Sequence, residues 1–443
     1  MVSDLVAAIS TAPGRAALAV VRISGRGAFE VAARVLGWPA DRTPVPRQAT
    51  LATFHEADGA VIDHGLVTFF PGPDSYTGED LVEFSTHGGN LVPTQLLAAL
   101  LAAGARPAGP GEFTRRAFQN GKLDLLQAEA VADLIDASTR AQGRGAIRQL
   151  EGGLSRRLLS LRSDLIDLQA LLSYDIDFPE EDDGPIDRST IAEALGRCRT
   201  TVSRLLETAL LGERVRTGAL VVLAGRPNVG KSSLFNALLR AERALVTEVP
   251  GTTRDTIEAD LDVDGWPVRL ADTAGLRSSE DRIEQLGIEV SRKYLAAADL
   301  VLLCVEAGRP LDPDEQALAR QGGTVVVRTK ADLAQSEGEG IPVSARTGSG
   351  LSDLARAVVE ELFGDVEQVA DLEPMLTRER HRLALDAAAD ELGQVAPHLA
   401  AAGDPVLAAH HVRRAVASLD EVVGVVDIEE ILGAVFSRFC VGK

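Results

Sequence analysis

The stretch that most constrains this chain is Gly225-Arg-Pro-Asn-Val-Gly-Lys231-Ser232, with ALVVLAG before it and SSLFNALL after it. An apolar strand, a glycine-bearing loop and a helix, in that order, build a phosphate cradle. The loop turns its N–H groups toward phosphate oxygens, and the helix N-terminus adds its dipole. In such a G-x4-G-K-S loop Lys231 reaches the β- and γ-phosphates, and the Ser232 hydroxyl serves Mg2+. Asn228, Val229, Gly230 and Ser233 complete the contact set. Residues 219–360 alternate strand and helix patterns, the signature of a doubly wound α/β sheet.

Further pieces follow in an order that selects one nucleotide class. Gly251-Thr252-Thr253 is a switch candidate whose Thr253 can complete the Mg2+ shell. The segment Thr247-Glu248-Val249-Pro250 stands just before it. A hairpin turned at Asp264-Gly265 leads to Asp272-Thr273-Ala274-Gly275, where Asp272 holds Mg2+ through water and Gly275 can swing to the γ-phosphate. Thr329-Lys330-Ala331-Asp332 follows the strand TVVVRT, and Ser344-Ala345-Arg346 follows IPV. Asp332 would accept from guanine N1–H and N2–H2, donors that adenine lacks, so a guanine nucleotide is expected and ATP is not. Two positions depart from the usual pattern. Thr329 stands where Asn is usual; its hydroxyl can bond the base edge or the loop, but with shorter reach, so altered affinity is expected. Leu276 stands where many such proteins carry a water-orienting Gln, so that role must come from elsewhere.

The formal net charge of −20 excludes a protein that coats RNA through its own basic surface; nucleic-acid contact must be local or shared. Of the 45 basic residues only five are lysines, at 122, 231, 293, 330 and 443, which singles out Lys122 and Lys443 beside the two in the nucleotide motifs. The cysteines Cys198, Cys304 and Cys440 are widely spaced, which fits a reducing cytoplasm and argues against a disulfide framework or zinc site. No apolar stretch is long enough for a membrane span, and the first residues do not read as a signal peptide.

Along the chain, residues 1–118 mix β-like runs (LAVVRIS, GLVTFF, LVEFST) with a helix at Val92 to Ala103 and read as a small α+β domain. Residues 119–212 turn helical, with an acidic solvated break at Asp175 to Asp187. Residues 213–372 hold the nucleotide motifs, and 373–443 are helical again. The expected fold is therefore an α/β P-loop G domain inserted in an α-helical domain, preceded by an α+β N-terminal domain.

APGRAALAVVRISG, PDSYTGEDLVEFSTHGG, GEFTRRAFQNGKLDLLQAEAVADLI, the nucleotide motifs and the terminal FCVGK resemble the MnmE (TrmE) family of tRNA-modification GTPases over essentially the whole chain. Ala12, Ala16, Thr329 and Val441 are small departures. The resemblance implies an N-terminal domain that binds a tetrahydrofolate one-carbon derivative and forms a homodimer. It implies partnership with MnmG (GidA), the FAD-containing subunit, in placing carboxymethylaminomethyl or aminomethyl groups on C5 of wobble uridine in certain tRNAs. Folate contacts would fall on Arg22, Glu83, Lys122 and Lys443; cationic groups plus a carboxylate suit a folate's glutamate and pterin edge. K+ would be bound through Asn228, Thr247, Val249 and Thr252, where other G proteins receive an arginine. Glu284, by itself a solvated-face residue on an amphipathic helix, matches the water-orienting carboxylate. Cys440 is either a packed small side chain or a thiol at the folate site. Two other readings compete. A ribosome-assembly GTPase of the Era or Der type would need a basic RNA module or a second G domain, which the sequence lacks. A GTP-gated scaffold whose N-terminal domain only dimerises would not bind folate.

Overall fold

The computed structural model describes residues 4–39, 41–177, 188–244, 258–272, 293–334, 338–364, 374–399, 404–424, 429–437 and 439–442. Packing groups the chain into two units, residues 1–132 with 420–443, and residues 133–419.

In the first unit β1 (Val6–Ile9), β2 (Leu18–Ser24), β3 (Thr50–His55), β4 (Val61–Phe70), β5 (Leu81–His87) and β6 (Arg106–Pro107) form one sheet of order β3-β4-β5-β2-β1-β6. Its pairs are antiparallel except the short parallel β1–β6 contact. LAVVRIS becomes β2 as its pattern suggests. Side chains alternate across a strand, so Val21 and Ile23 enter the core beneath α1 (Ala28–Val35) and α2 (Leu91–Ala102). Arg22, between them, points to the opposite face. The register places Ala8, Arg22 and Glu83 in one row across β1, β2 and β5.

The end of the chain packs in this unit too. After α3 (Glu112–Gln119), Leu125 and Ala128 of α4 (Leu125–Asp136) share a core with Leu432, Phe436 and Phe439. Val441 bridges Pro110, and Gly442 lies against the end of β1. A Cβ on Gly442, whose φ is 98°, would stand 2.3 Å from the Ile9 carbonyl oxygen, so only glycine fits.

The second unit holds α5 (Arg140–Leu150), α6 (Gly153–Asp177), α7 (Arg188–Glu207) and α8 (Ala209–Thr217) before the α/β part, and the helix Glu379–His398 after it. Leu154, Leu158, Leu161, Leu165, Leu168 and Leu172 on α6 alternate four and three residues apart and are all fully buried, a heptad-like seam. Truncating any one to alanine should cost about 2–5 kcal/mol. The acidic break begins inside α6, which runs to Asp177; residues 178–187 lie outside the described residues. Within the helical 119–212 stretch, α5 has no apolar periodicity of its own to mark it. Its RAQGRGAIRQL carries two glycines and few apolar residues, and what starts it is Thr139, whose hydroxyl accepts from Gln142 N in a capping box.

The seven described strands of the α/β part are β7 (Ala219–Ala224), β8 (Arg243–Ala244), β9 (Glu258–Val263), β10 (Trp266–Asp272), β11 (Leu300–Glu306), β12 (Thr324–Thr329) and β13 (Ile341–Pro342). Their order is β13-β12-β11-β7-β10-β9-β8. β10, β7, β11, β12 and β13 run parallel, and β7 is buried at every residue, as a strand covered on both faces must be. The Asp264-Gly265 turn closes the β9–β10 hairpin with positive φ at both residues, as expected. Its Gly265 carbonyl accepts from Ala141 N at the start of α5, 2.9 Å away.

Candidate functional site

Parallel strands deliver their C-terminal ends to one edge, where ligands of open α/β sheets bind. β7 ends into the phosphate loop; Asp272, last in β10, lies opposite Leu223, two residues before Gly225. Gly225 has φ 137°, and a Cβ there would stand 2.4 Å from the Cys304 carbonyl oxygen, so the loop can lie this close to β11 only with glycine. Asn228 holds φ 61°, a left-handed conformation that costs an L-residue and is kept where a loop must turn its N–H groups inward. Lys231 begins α9 (Lys231–Ala241), is 7% exposed, and donates to the carbonyls of Gly225 (2.9 Å) and Arg226 (2.8 Å). The Ser232 hydroxyl donates to Asp272 Oδ2 at 2.8 Å. A buried ammonium held at the loop and a hydroxyl–carboxylate pair beside it fit a phosphate chain with a hard divalent cation.

The base-reading residues meet at the same edge. Asp332 Oδ1 accepts from the Ser344 hydroxyl (2.7 Å), and Oδ2 lies 3.1 Å from Arg346 Nε. The Ser344 hydrogen bond, helped by Arg346, holds the Asp332 carboxyl below its ordinary value, so it stays an acceptor. Lys330, at φ 55°, pairs with Glu306 at 3.2 Å. Thr329, 4% exposed, donates to Val229 O at 2.5 Å, with Val305 O at 3.3 Å. Of the two uses open to that hydroxyl, the geometry selects the phosphate loop. Ala331 N donates to Val343 O, and Ala345 follows Ser344 in the adjoining turn. A cavity of about 580 Å³, lined by Arg140, Gln142, Arg216, Asp264, Trp266 and Met375 among others, contains none of these residues.

A second cluster stands in the first unit. Arg22 Nε donates to Glu83 Oε1 at 2.7 Å, and the Arg22 guanidinium lies 5.9 Å from the centre of the Tyr76 ring. Lys122 Nζ donates to Pro73 O at 3.1 Å, and Asn120 Nδ2 to Thr77 O at 2.7 Å, so the 72–80 loop is tied to the residues that follow α3. Arg116, 8% exposed, contacts Asp4 and Glu112 at 2.8 Å and Glu79 at 3.0 Å. The Gly442 carbonyl accepts from the Ser10 hydroxyl at 2.9 Å, one residue past β1. Cys440, two residues earlier, is exposed, so the packed reading of that side chain does not hold.

A family model described as "MnmE helical domain" matches residues 125–440, and one described as "GTP-binding protein TrmE N-terminus" matches residues 5–122. The chain belongs to the MnmE family. It is 45% identical to the tRNA modification GTPase MnmE of Azoarcus sp. (strain BH72) over 99% of this chain and 98% of that one. The proteins of the same name from Neisseria meningitidis serogroup C (strain 053442) and Dechloromonas aromatica (strain RCB) are 44% and 42% identical, over 99% and 100% of this chain and 98% and 100% of theirs. The solved G domain of the T. maritima FeoB iron transporter is 29% identical and covers 32% of this chain and 98% of its own, with a TM-score of 0.25.

Membership of the MnmE family makes the chain a tRNA modification GTPase by descent and accounts for the α/β part with helices on either side of it in sequence. Among the nucleotide residues named from the sequence, Asn228 to Ser233, Asp272, Thr329 to Asp332 and Ser344 to Arg346 are described and lie at one sheet edge. Thr247 to Thr253, Thr273, Ala274, Gly275, Leu276, Glu284 and Lys443 lie outside the described residues. Tyr76 was not singled out from the sequence, although it sits inside PDSYTGED. Burial raises its phenol, against the hydrogen bond it shares with Thr114, and its ring lies against Arg22. Among the described residues no helix is long and apolar enough to cross a membrane.

Proposed function

We propose that this chain is the K+-dependent, GTP-hydrolysing subunit of a cytoplasmic complex that modifies C5 of wobble uridine in certain tRNAs. It would act as a homodimer with MnmG, on which FAD resides, and take its one-carbon unit from a tetrahydrofolate derivative bound in the first unit. The observation that carries the reading is the convergence of Lys231, the Ser232–Asp272 pair and Asp332 on one sheet edge, in a chain similar to MnmE proteins over its whole length. Asp332, kept ionised, reads the guanine donors, and Ser344 and Arg346 orient it. Lys231 exchanges its carbonyl partners for phosphate oxygens. Mg2+ would be held by Ser232 and Thr253, with Asp272 acting through water; when bound it neutralises charge on the phosphates. For K+, Asn228 has a side-chain amide with no hydrogen-bond partner among the described residues, and Thr247, Val249 and Thr252 would add oxygen donors. Glu284 would orient water where Leu276 cannot. For folate, the half-buried Arg22–Glu83 pair, Lys122 and Lys443 offer both charges to a molecule with a carboxylate and a pterin edge. The fourfold division at residues 118, 212 and 372 is part of this proposal.

Hydrolysis in K+ and in Na+ tests it. K+ should raise kcat by on the order of tenfold or more, and Asn228→Ala should abolish that response while GTP affinity stays near normal. Equal turnover in the two salts would overturn the K+ assignment.

A further inference from the structure

Resting on the guanine-nucleotide reading above, we infer that Thr329 offers no donor to guanine N7, so that base selection in this chain rests on the Watson–Crick edge that Asp332 faces. Asp332 is the acceptor for guanine N1–H and N2–H2. The other polar atoms on the base edge, O6 and N7, are acceptors and can be read only by donors. Thr329 ends β12 three residues before Asp332 and brings one hydroxyl hydrogen. That hydrogen is committed: Val229 O lies 2.5 Å away and Val305 O 3.3 Å, both carbonyls, and neither can donate in return. The side chain is 4% exposed, wedged between the phosphate loop and β11, and Gly230 stands close enough that a Cβ there would meet the Thr329 Cβ at 3.8 Å. An asparagine at this position has two amide hydrogens and a longer reach, enough to hold the Val229 carbonyl and still offer a donor to the base. Threonine fastens the base-reading strand to the phosphate loop and has nothing left for N7. Thr329 is thus a positioning residue for the phosphate loop, and its one-donor chemistry sets how much of the purine is read.

The probe is 7-deaza-GDP, in which carbon replaces N7 and the donors that face Asp332 are unchanged. Calorimetric titration of the full chain with GDP, 7-deaza-GDP and ADP separates the outcomes. GDP and 7-deaza-GDP should bind within about twofold of each other, because no hydrogen bond is lost, whereas a donor to N7 would make the analogue bind roughly tenfold more weakly. A tenfold loss would overturn the inference. ADP binding as well as GDP would instead overturn the guanine reading beneath it. Thr329→Ser keeps the hydrogen and should leave both affinities near those of the unaltered chain. Thr329→Val leaves the Val229 carbonyl without its donor and should weaken GDP and 7-deaza-GDP by the same factor, roughly tenfold. A valine variant that weakens GDP but spares 7-deaza-GDP would mean that the hydroxyl does reach N7. Thr329→Asn should bind GDP more tightly than 7-deaza-GDP and so create the discrimination that the threonine lacks. Should the larger side chain prevent folding, the serine–valine comparison still decides.

Discussion

Asp332 and Thr329 stand three residues apart and divide the base-reading work unequally. The carboxylate is oriented on both oxygens, by Ser344 and Arg346, and is free to face a ligand; the hydroxyl is spent inside the protein. Asp332→Asn should therefore exchange guanine for xanthine preference by on the order of 100-fold or more, since an amide donates where xanthine accepts; competition binding with GDP and XDP measures it, and unchanged preference would contradict the assignment. The same scale separates the cysteines. Burial pushes the Cys304 thiol up to about 12 and Cys198 up to about 11, with Asp164 adding to the latter, while Cys440 is exposed. Limited treatment of the folded chain with iodoacetamide should label Cys440 first, with Cys198 and Cys304 reacting only after unfolding, as peptide mapping will report. Sequence alone could name Asp332 because spacing after a phosphate loop is a one-dimensional signal. It could not choose between two partners for the Thr329 hydroxyl, since Val229 is distant in sequence and only the sheet brings it near.

Elements were legible where their periodicity is strong. β2, β7 and β12 coincide with the apolar runs read from the sequence, because β-branched and leucine-rich segments bounded by turns leave little alternative. α5 was not, because its start is a cap and its anchor is the β9–β10 turn rather than an apolar stripe. The Arg106–Arg116 network around β6 and α3 was equally invisible, being assembled from Asp4, Glu79 and Glu112, which are far apart in the chain. Burial by itself would raise Glu112, but hydrogen bonds from Arg106, Gly109 N–H and Arg116 outweigh it, and Asp4 is lowered first by Arg106. Both carboxyls are thus depressed. Their contribution is present in full above the unfolded values near 4.5 and 3.8, and is lost as pH falls below them toward the folded values. Arg116→Met should destabilise the first unit by about 3–5 kcal/mol and flatten the acid limb of its denaturation profile between pH 5 and 3. A variant as stable as the parent, with the same acid limb, would show that the network contributes nothing.

At the scale of the whole molecule, the nucleotide residues fall in one packing unit and Arg22, Glu83, Lys122 and Cys440 in the other. Chain order alone puts the FCVGK end with the helices after residue 373. Packing puts Phe439 against α4 and Gly442 against the end of β1, through contacts between residues far apart in the sequence that leave no local trace. Separate units make separable functions. Cys440→Ser should leave K+-stimulated GTP hydrolysis near normal while wobble modification falls; loss of hydrolysis in a folded serine variant would contradict that division. The account as a whole meets its most direct test in the wobble nucleosides of tRNA from a strain lacking this protein, digested and quantified by liquid chromatography with mass spectrometry. Carboxymethylaminomethyl and aminomethyl groups at uridine C5 should be absent, restored by the intact chain, and not restored by Lys231→Ala, which cannot hold the phosphates. Normal levels of those nucleosides in the deleted strain, or full restoration by the Lys231 variant, would contradict a GTP-gated role in tRNA modification.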